Sequence, residues 1–369
     1  MASFTKVGKS WQYSVSRMVN GKYSPIRKSG FKTKKEAQIA AAEVEADLRK
    51  GLVPQQKQIP FPDYFKDWLE LYKKKGVTNN TYERYLNTLQ TLQEYFLATP
   101  IQSITKRQYQ AFLNRYGETR AKDTTRKLNT HIRACIRDAV DEGIIRVDFT
   151  RGVILTGGIA SKKPEEKHLS YFESKRLLGE LNKNLNTLTK HLILLALVSG
   201  LRFGELVGLT KEDFNFKTNE LRINKTWGYT KKMHTGFGPT KNAQSNRVIK
   251  IDAETMKIFK ELFTTLPDSP HGLVFYSPQS KYKVISNGAV NKELKSILTK
   301  NKIEPISIHG LRHTHASVLL YKKVSIYYVS ERLGHEGIET TLSYYAHIVK
   351  ELREQDVKST IKIFGSMVG

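Results

Sequence analysis

Hydrophobic and polar positions change their spacing along the chain, and each change marks a different kind of element. Across residues 11–19 every second position is apolar or basic, which is typical of a half-exposed strand. Asn20-Gly21 predicts a tight hairpin turn, and a further strand is expected over residues 23–31. Residues 33–36 have the composition of a capping box, so an Ala-rich helix is expected to follow and to end before Gly51.

The middle of the chain, up to about residue 150, has helical spacing instead. Its first apolar positions are Phe61, Phe65, Leu69, Leu71 and Tyr72. Asn80 with Glu83, and Thr105 with Gln108, have the residue types and spacing of helix N-termini. We therefore expect an all-helical second domain, in which Cys135 is a buried structural thiol because it lies on the apolar stripe of one helix.

Two stretches without periodicity, at residues 55–60 and 156–164, predict linkers on either side of that segment. A capping box at residues 170–173 opens a larger, mostly helical third domain. Within it, residues 221–223 and 247–251 are expected to be strands, joined by a hairpin or a long loop. The whole chain is predicted to be multidomain and mainly α with small β elements: an N-terminal three-stranded sheet plus helix (1–56), a helical domain (61–153) and a mixed α/β domain (167–369).

Composition adds a strong positive charge. With 61 Lys and Arg against 35 Asp and Glu, the formal net charge is +26 over 369 residues. Nucleic acid is the first candidate partner, because lysine and arginine release counterions from its phosphates. A membrane is disfavoured, since the basic residues are not gathered in one amphipathic helix and the longest apolar run, residues 192–198, is too short to span a bilayer. The N-terminus lacks the pattern of a signal peptide, so a cytoplasmic protein is expected.

Two groups of side chains are predicted to contact nucleic acid. In the N-terminal sheet they are Trp11, Tyr13, Arg17, Lys22, Arg27 and Lys28. In the helical domain they are Lys127 and Arg133. The alternative is a solvated basic face with core aromatic residues. We favour nucleic-acid contact, because so small a sheet-and-helix unit can do little but bind.

Four separated clusters in the third domain hold residues that could carry chemistry. Arg202 opens a helix directly after a buried one, where backbone N–H groups also attract anions, and Glu205 lies one turn on. Lys241 lies on the predicted hairpin or loop and is followed by Ser245 and Arg247 at the start of a strand. His309 and Arg312 are three residues apart and share one helix face, so an imidazole nitrogen and a guanidinium converge there.

The fourth cluster is His335 with Tyr345 ten residues later. Gly334 is expected to stop a helix and to expose His335 on the following turn. Tyr344 is the rival for the tyrosine position, and the Tyr-x-His pattern with His347 favours Tyr345. A metal site is the alternative for the histidines, but the usual zinc spacings and the His-Glu-x-x-His motif are absent, so no metal is expected.

Taken in order, these clusters resemble the active-site set of the tyrosine recombinases. The shared motifs are Gly-Leu-Arg-x-x-Glu (200–205), Lys241, His-x-Leu-Arg-His (309–313), Leu-Gly-His (333–335) and Tyr345. Residues 29–37 also resemble part of the arm-type DNA-binding domain of phage and conjugative-transposon integrases. Residues 61–153 fit the helical core-binding domain of the same family by position and class.

This resemblance implies a site-specific recombinase that integrates and excises a mobile element. The tyrosine would attack a DNA phosphate and form a 3′-phosphotyrosyl link, which conserves the bond energy, so neither ATP, a metal ion nor another cofactor is expected. The implied roles are phosphate binding by Arg202, Arg312 and His335, general-acid catalysis by Lys241, proton transfer by His309, nucleophilic attack by Tyr345 and positioning by Glu205.

The partners that the resemblance implies are double-stranded DNA with core-type and arm-type sites, and three further copies of the chain in a tetramer, within a bacterial host cell. An excisionase and a host DNA-bending protein are further candidates. The C-terminal residues 348–369 are expected to dock on a neighbouring protomer. Two alternatives remain: a non-catalytic DNA-binding regulator, disfavoured by the complete residue set, and a type IB topoisomerase, disfavoured by the arm-like first domain.

Overall fold

The computed structural model describes residues 2–19, 22–49, 58–161, 164–339, 341–342, 357, 360–361 and 363–366. The chain divides into two compact units, Met1–Ser161 and Lys162–Gly369. The first unit holds a small sheet domain and a helical domain, and the second holds the larger mixed domain. Within those described ranges, no helix has the length and apolar character needed to cross a bilayer.

The N-terminal domain is a three-stranded antiparallel sheet that packs against one helix, which confirms the predicted fold class. Its elements are β1 (Ala2–Val7), β2 (Ser10–Val15), β3 (Met18–Val19), β4 (Lys22–Tyr23), β5 (Ile26–Phe31) and α1 (Lys34–Arg49). The sheet order is β1-β2-β5, and β3 pairs with β4 as a separate two-stranded element. The Asn20-Gly21 turn predicted between β3 and β4 lies outside the described residues.

The start of α1 agrees with the predicted cap at one of its two hydrogen bonds. The Glu36 N–H donates to Thr33 Oγ1 at 3.2 Å, but the Glu36 carboxylate accepts from the Lys32 N–H at 3.0 Å rather than from Thr33. Tyr13 is 3% exposed and packs with Val15 in the core between sheet and helix. The alternation of β2 faces this residue toward α1, so Tyr13 is a core aromatic residue instead of the predicted DNA-contacting one.

The second domain is all-helical, as the spacing predicts. Its helices are α2 (Phe61–Trp68), α3 (Asn79–Phe96), α4 (Lys106–Gly117) and α5 (Lys122–Asp141). Its core is rich in aromatic residues and encloses Cys135, whose side chain is fully buried. Burial raises the pKa of the Cys135 thiol well above its usual value, which fits an inert structural residue. Thr105 and Gln108 form the predicted capping box at the start of α4.

Two local predictions in this domain are wrong. The N-cap of α3 lies two residues earlier than expected, because Thr78 accepts the hydrogen bond from the Thr81 N–H at 3.4 Å, and Asn80 lies inside the helix. Leu71 and Tyr72 are 74% and 47% exposed instead of facing the core. They lie in a π-helical turn that extends α2, where the wider turn breaks the 3.6-residue spacing from which their burial was inferred.

The predicted linker at residues 156–164 is in part a packed segment. The Gly158 N–H donates to Gly117 O at 2.8 Å, and Ile159 N–H donates to Arg120 O at 3.3 Å. A Cβ on Gly158 would lie 1.9 Å from Glu118 O. Glycine at this position therefore permits close backbone approach to the end of α4, which is a packing role and not a hinge.

The third domain combines seven helices with two small sheets, among the residues that the structure describes. Its helices are α6 (Tyr171–Lys183), α7 (Leu188–Ser199), α8 (Phe203–Val207), α9 (Ala253–Thr265), α10 (Asn287–Lys300), α11 (Ile308–Tyr321) and α12 (Ile326–Leu333). Its strands are β6 (Phe214–Asn215), β7 (Glu220–Ile223), β8 (Thr226–Trp227), β9 (Phe237–Gly238) and β10 (Arg247–Lys250). One antiparallel sheet has the order β10-β7-β6, and the other pairs β8 with β9.

Helix α7 is the centre of this domain. Its side chains from His191 to Leu197 are buried on all faces, and α6, α10 and α11 pack around it. The capping box of Ser170 and Glu173 at the start of α6 and the two predicted strands are confirmed. The ends of α7, α12 and β10 come together beside α11, and this junction holds most of the residues singled out in the sequence.

Candidate active site

The site begins at the turn where α7 ends. Gly200 has a φ of 68°, and a Cβ there would lie 2.8 Å from side-chain atoms of His315 and Leu333. Glycine therefore fits both the left-handed backbone and the close packing. The turn places Arg202 at the N-cap of α8, as predicted, and its backbone N–H donates to Glu205 Oε2 at 3.0 Å.

Glu205 is a buried carboxylate between two arginines. Its side chain is 1% exposed, and it accepts from Arg202 Nη1 at 2.8 Å and from Arg247 Nη2 at 3.1 Å. Burial by itself raises the pKa of Glu205, but the charges of Arg247 and Arg202 outweigh burial and lower it. The carboxylate is therefore ionised at neutral pH and fixes the direction of both guanidinium groups.

Three arginine side chains donate hydrogen bonds to the C-terminal end of α12. Its last carbonyl groups have no partner within the helix, and each of three consecutive ones accepts a hydrogen bond from a different arginine. The pairs are Arg247 Nε to Arg332 O (2.7 Å), Arg312 Nη2 to Leu333 O (2.8 Å) and Arg202 Nη2 to Gly334 O (3.0 Å). The negative end of the helix dipole favours this gathering of cations. One short helix thus holds three guanidinium groups in a fixed relation.

Helix α11 contributes Arg312 and two histidines. Arg312 is 3% exposed and also donates from Nη1 to Gly200 O at 2.8 Å, which ties α11 to the turn after α7. The His309 and His313 rings meet edge to face with their centroids 5.0 Å apart. Desolvation and the charges of Arg312, Arg202 and Lys241 lower the pKa of His309. Desolvation and the neighbouring histidine and arginine lower the pKa of His313 to about 4.

His335 follows the left-handed Gly334 at the end of α12, as the sequence predicts. Its Nδ1 lies 2.7 Å from the Thr341 hydroxyl, which sets the direction of the ring. Partial burial and the charges of Arg312 and Arg202 lower the pKa of His335 to about 3. At neutral pH the imidazole is therefore uncharged, and one ring nitrogen can donate a hydrogen bond while the other accepts.

Lys241 lies three residues after β9, in the segment that returns to β10. It is exposed and makes no hydrogen bond or ion pair with any residue in the described ranges. Its charge nevertheless reaches His309, whose pKa it helps to lower. Ser245, farther along the same segment, accepts from Arg202 Nη1 at 2.9 Å. The structure thus brings five of the seven predicted residues into one junction and leaves Lys241 on an exposed segment beside it. The five are Arg202, Glu205, His309, Arg312 and His335.

The seventh predicted residue, Tyr345, lies outside the described residues, as do the rival Tyr344 and His347. The sequence reasoning noted Ser245 and Arg247 beside Lys241 without giving them a role, weighed His315 only as a metal ligand, and missed Arg332 and Thr341. Strand alternation could have given Arg247 a role, because it shares the inward face of β10 with the buried Ile249. The others form contacts between distant segments, which spacing along one helix does not reveal.

The basic residues predicted to bind DNA lie mostly on the surface. The exposed ones are Lys22, Arg27, Lys28, Lys127 and Arg133, while Trp11 and Arg17 are half-buried. Lys34 lies over the Trp11 ring, 5.7 Å from its centroid. In the helical domain, Lys127 lines a polar groove of about 650 Å³ between α3 and α5, together with Arg84, Arg120 and His131. The groove is a concave, polar surface within this domain, with three basic side chains in its lining.

The arrangement can stabilise a dianionic group through charge-assisted hydrogen bonds. Arg202 keeps 22% of its side chain exposed although three partners fix its guanidinium. Preorganised donors of this kind need no rearrangement when negative charge develops. Among the residues that the structure describes, no group of three His, Cys, Asp or Glu side chains could hold a metal ion.

Comparison with known proteins places this geometry in a family. A model described as the phage integrase family matches residues 167–351, half of the chain. A model of an arm DNA-binding domain matches residues 3–48, and one of the phage integrase N-terminal SAM-like domain matches residues 60–116.

Individual relatives cover nearly the full length. The chain is 28% identical to a tyrosine recombinase XerC-like protein of Caldanaerobacter subterraneus over 98% of both chains, and 24% identical to the ICEBs1 integrase of Bacillus subtilis over 91% of this chain and 95% of the relative. A solved structure of the Tn1549 transposon integrase, in complex with a circular intermediate DNA, superposes with a TM-score of 0.67 at 16% identity, over 81% of this chain and 99% of that one. The fold and the matched families together identify the chain as a member of the phage integrase family of tyrosine recombinases.

Proposed function

We propose that this protein is a site-specific DNA recombinase that integrates and excises a mobile element by forming a 3′-phosphotyrosyl intermediate with Tyr345. The observation that carries the proposal is the set of three arginines held on consecutive carbonyls at the end of α12. A scissile phosphate gains negative charge as it becomes five-coordinate, and fixed guanidinium groups are well suited to oppose that charge.

In the proposed reaction, Arg202 and Arg312 hold the non-bridging phosphate oxygens, and His335 donates a hydrogen bond to one of them. The Tyr345 oxygen attacks phosphorus, and its proton passes to neutral His309. The bond from phosphorus to the 5′ oxygen breaks, and Lys241 gives that oxygen a proton. Rejoining runs in reverse with a new 5′-hydroxyl as nucleophile. Glu205 supports the reaction by fixing Arg202 and Arg247.

We further propose that the reaction needs neither ATP nor a metal ion. The phosphotyrosyl bond replaces a phosphodiester of similar energy, so rejoining requires no other energy source. In this proposal the arginines stabilise the negative charge on the phosphate, as bound metal ions do in other phosphoryl-transfer enzymes. The proposed domain division is an arm-type domain (1–56), a core-binding domain (61–153) and a catalytic domain (167–369), each meeting double-stranded DNA.

Recombination joins two duplexes and exchanges four strands, so the proposed working form is a tetramer on DNA. An excisionase and a host DNA-bending protein are proposed as additional partners, in the cytoplasm of a bacterial host. The exposed basic residues Lys22, Arg27, Lys28, Lys127 and Arg133 are proposed to meet phosphates, with Trp11 and Arg17 beside them.

The test is an assay for a covalent adduct with DNA that carries the sequences flanking the gene. Purified protein, Tyr345→Phe and Tyr344→Phe are each mixed with this DNA in a chelator, and SDS-resistant, protease-sensitive adducts are counted. An adduct lost only in Tyr345→Phe supports the nucleophile and metal independence together. Tight DNA binding by the unaltered protein with no adduct would favour a non-catalytic regulator, and an adduct lost only in Tyr344→Phe would assign the nucleophile to that residue.

A further inference from the structure

Behind the arginines of the site lies a buried histidine–arginine pair to which the proposed reaction gives no role. His315 on α11 is 7% exposed, and Arg332 on α12 is 9% exposed. Arg332 Nε donates to His315 Nε2 at 3.0 Å. Within the described part of the chain, Arg332 has no carboxylate partner, although a buried arginine ordinarily has one. Its acceptors are this imidazole, a distant hydroxyl and backbone carbonyls.

The partners of His315 allow only one protonation state. Its Nδ1 lies 2.9 Å from Leu197 O, and a carbonyl can only accept, so Nδ1 carries the hydrogen. Its Nε2 faces the N–H of Arg332, so that nitrogen must offer its lone pair. If Nε2 also carried a proton, its N–H would face the Arg332 Nε–H, and neither group could accept a hydrogen bond from the other. Burial, the charges of Arg332, Arg312 and Arg247, and this geometry agree, and the pKa of His315 is lowered to about 3.

Arg332 joins three segments that carry the site. Its Nη1 donates to Lys250 O at the end of β10 at 2.9 Å, and its Nη2 donates to Val198 O near the end of α7 at 3.2 Å. Its own carbonyl accepts from Arg247 Nε. The side chain therefore fixes the end of α12 against the turn that carries Arg202, and α12 in turn presents the carbonyls that hold three arginines.

We propose that His315 and Arg332 are positioning residues of the recombinase: His315, locked as the neutral Nδ1–H tautomer, accepts the Arg332 hydrogen bond and thereby sets the end of α12 against α7 and β10. Neither side chain touches the DNA in this proposal. The inference rests on the proposed function, because the quantity that the pair controls is the rate at which the DNA phosphate is attacked.

The first experiment measures the single-turnover rate of adduct formation with protein in excess, alongside DNA affinity. His315→Leu removes the acceptor and is expected to slow attack by about 100-fold, because small displacements of fixed groups cost rate steeply, while DNA affinity changes little. His315→Gln is expected to stay within about threefold, since its amide oxygen can accept from Arg332. Ser317→Ala is the matched control: Ser317 lies on the same helix, is 5% exposed and its hydroxyl has no partner among the described residues.

A double variant separates positioning from stability. His315→Leu alone leaves the Nε–H of the buried Arg332 guanidinium without an acceptor, so the Tm of this variant is expected to fall. Adding Arg332→Met removes that charge, and the Tm is expected to recover while attack stays slow. Recovery of the rate together with the Tm would mean that the pair only stabilises the fold, and the proposal would be wrong. The same conclusion follows if His315→Gln is as slow as His315→Leu.

The tautomer can be read directly from the full chain labelled with nitrogen-15 histidine. The His315 ring, assigned by its absence in His315→Gln, is expected to keep a protonated Nδ1 and an unprotonated Nε2 between about pH 5 and 8. Protonation near the ordinary pKa of 6.5, or the opposite tautomer, would overturn the proposal. If the unaltered protein forms no adduct, the proposed function fails, and the nitrogen spectrum still decides whether the locked pair exists.

Discussion

The proposed catalytic domain (167–369) and the two N-terminal domains both present basic residues, but they hold them in opposite ways. Arg312 is 3% exposed, and two backbone carbonyls in different segments fix its guanidinium. The side chains of Lys28 and Lys127 are exposed and make no hydrogen bond or ion pair with any described residue. The Arg312 guanidinium is therefore fixed in one orientation, whereas no contact with a described residue fixes the two lysine side chains.

This difference follows from what each charge does. Opposing charge at one phosphorus atom requires donors already in place, because reorganisation during the reaction costs free energy. Binding a DNA backbone requires positive charge density and counterion release, which a mobile lysine supplies as well as a fixed one. Substitutions that keep charge but lose geometry should therefore harm the catalytic domain far more than the N-terminal ones.

The sharpest form of that comparison is Arg312→Lys. Lysine keeps the positive charge but cannot reach two carbonyls with a planar fork, so the bridge that Arg312 makes between Gly200 O and Leu333 O is lost. We expect single-turnover adduct formation to slow by about 1,000-fold, in the range found when one preorganised donor is removed. DNA affinity, measured by fluorescence anisotropy, should change by less than about threefold.

The matched control for that substitution is Arg222→Lys. Arg222 is exposed on β7, and its side chain makes one long hydrogen bond of 3.4 Å, to Glu212 O, among the residues that the structure describes. The control should retain the rate of the unaltered protein. Equal losses in the two variants would show that positive charge in general, and not the fixed geometry, limits the reaction.

A backbone substitution tests the same junction without removing a charge. Gly334→Ala puts a Cβ on a residue with a φ of 67° and within 2.9 Å of Gln244 O. We expect the free energy of unfolding to fall by at least about 1 kcal/mol from backbone strain, and adduct formation to slow as the α12 carbonyls shift. Gly179→Ala, in the interior of α6 with open space around it, should instead stabilise by up to about 1 kcal/mol.

The histidines of the catalytic domain predict a dependence of stability on pH. Because the pKa of His313 is about 4 in the folded chain and 6.5 ordinarily, the unfolded state binds more protons between these values. Stability should therefore fall as pH falls from about 6.5 toward 4, by at most about 1.4 kcal/mol per pH unit for one such group. Urea unfolding at pH 7, 6 and 5 measures this. His313→Gln should have a shallower slope, and parallel curves would contradict the assignment.

Sequence reasoning succeeded where one local segment contains the whole signal. Gly200 and Gly334 end helices in the left-handed conformation, Arg202 caps α8 and Ser170 caps α6, all within a few residues of their partners. Such positions follow from backbone geometry and helix caps alone, so residue order is enough to predict them.

It failed where two distant segments decide a residue's role. The spacing of α12 does not single out Arg332, yet hydrogen bonds to His315, Lys250 and Val198 make it a buried residue of the junction. Gly158 reads as a linker residue, and only its approach to Glu118 reveals a packed position. The burial of Tyr13 likewise depends on α1, which pattern alone cannot place over one face of the sheet.

The smallest expected effects, on the N-terminal sheet, complete the comparison. Lys28→Gln removes one exposed charge and should lower affinity for every DNA sequence alike, reducing the slope of log affinity against log salt by about 1 if it meets one phosphate. Tyr13→Phe is the contrasting variant, because the Tyr13 ring is buried beside Phe31, with centroids 5.6 Å apart, and offers DNA no surface. It should leave the salt slope and the affinity unchanged. A lower affinity for one particular DNA sequence in Tyr13→Phe would instead show that the core aromatic sets the shape of a sequence-reading surface, so that the N-terminal domain too depends on fixed geometry.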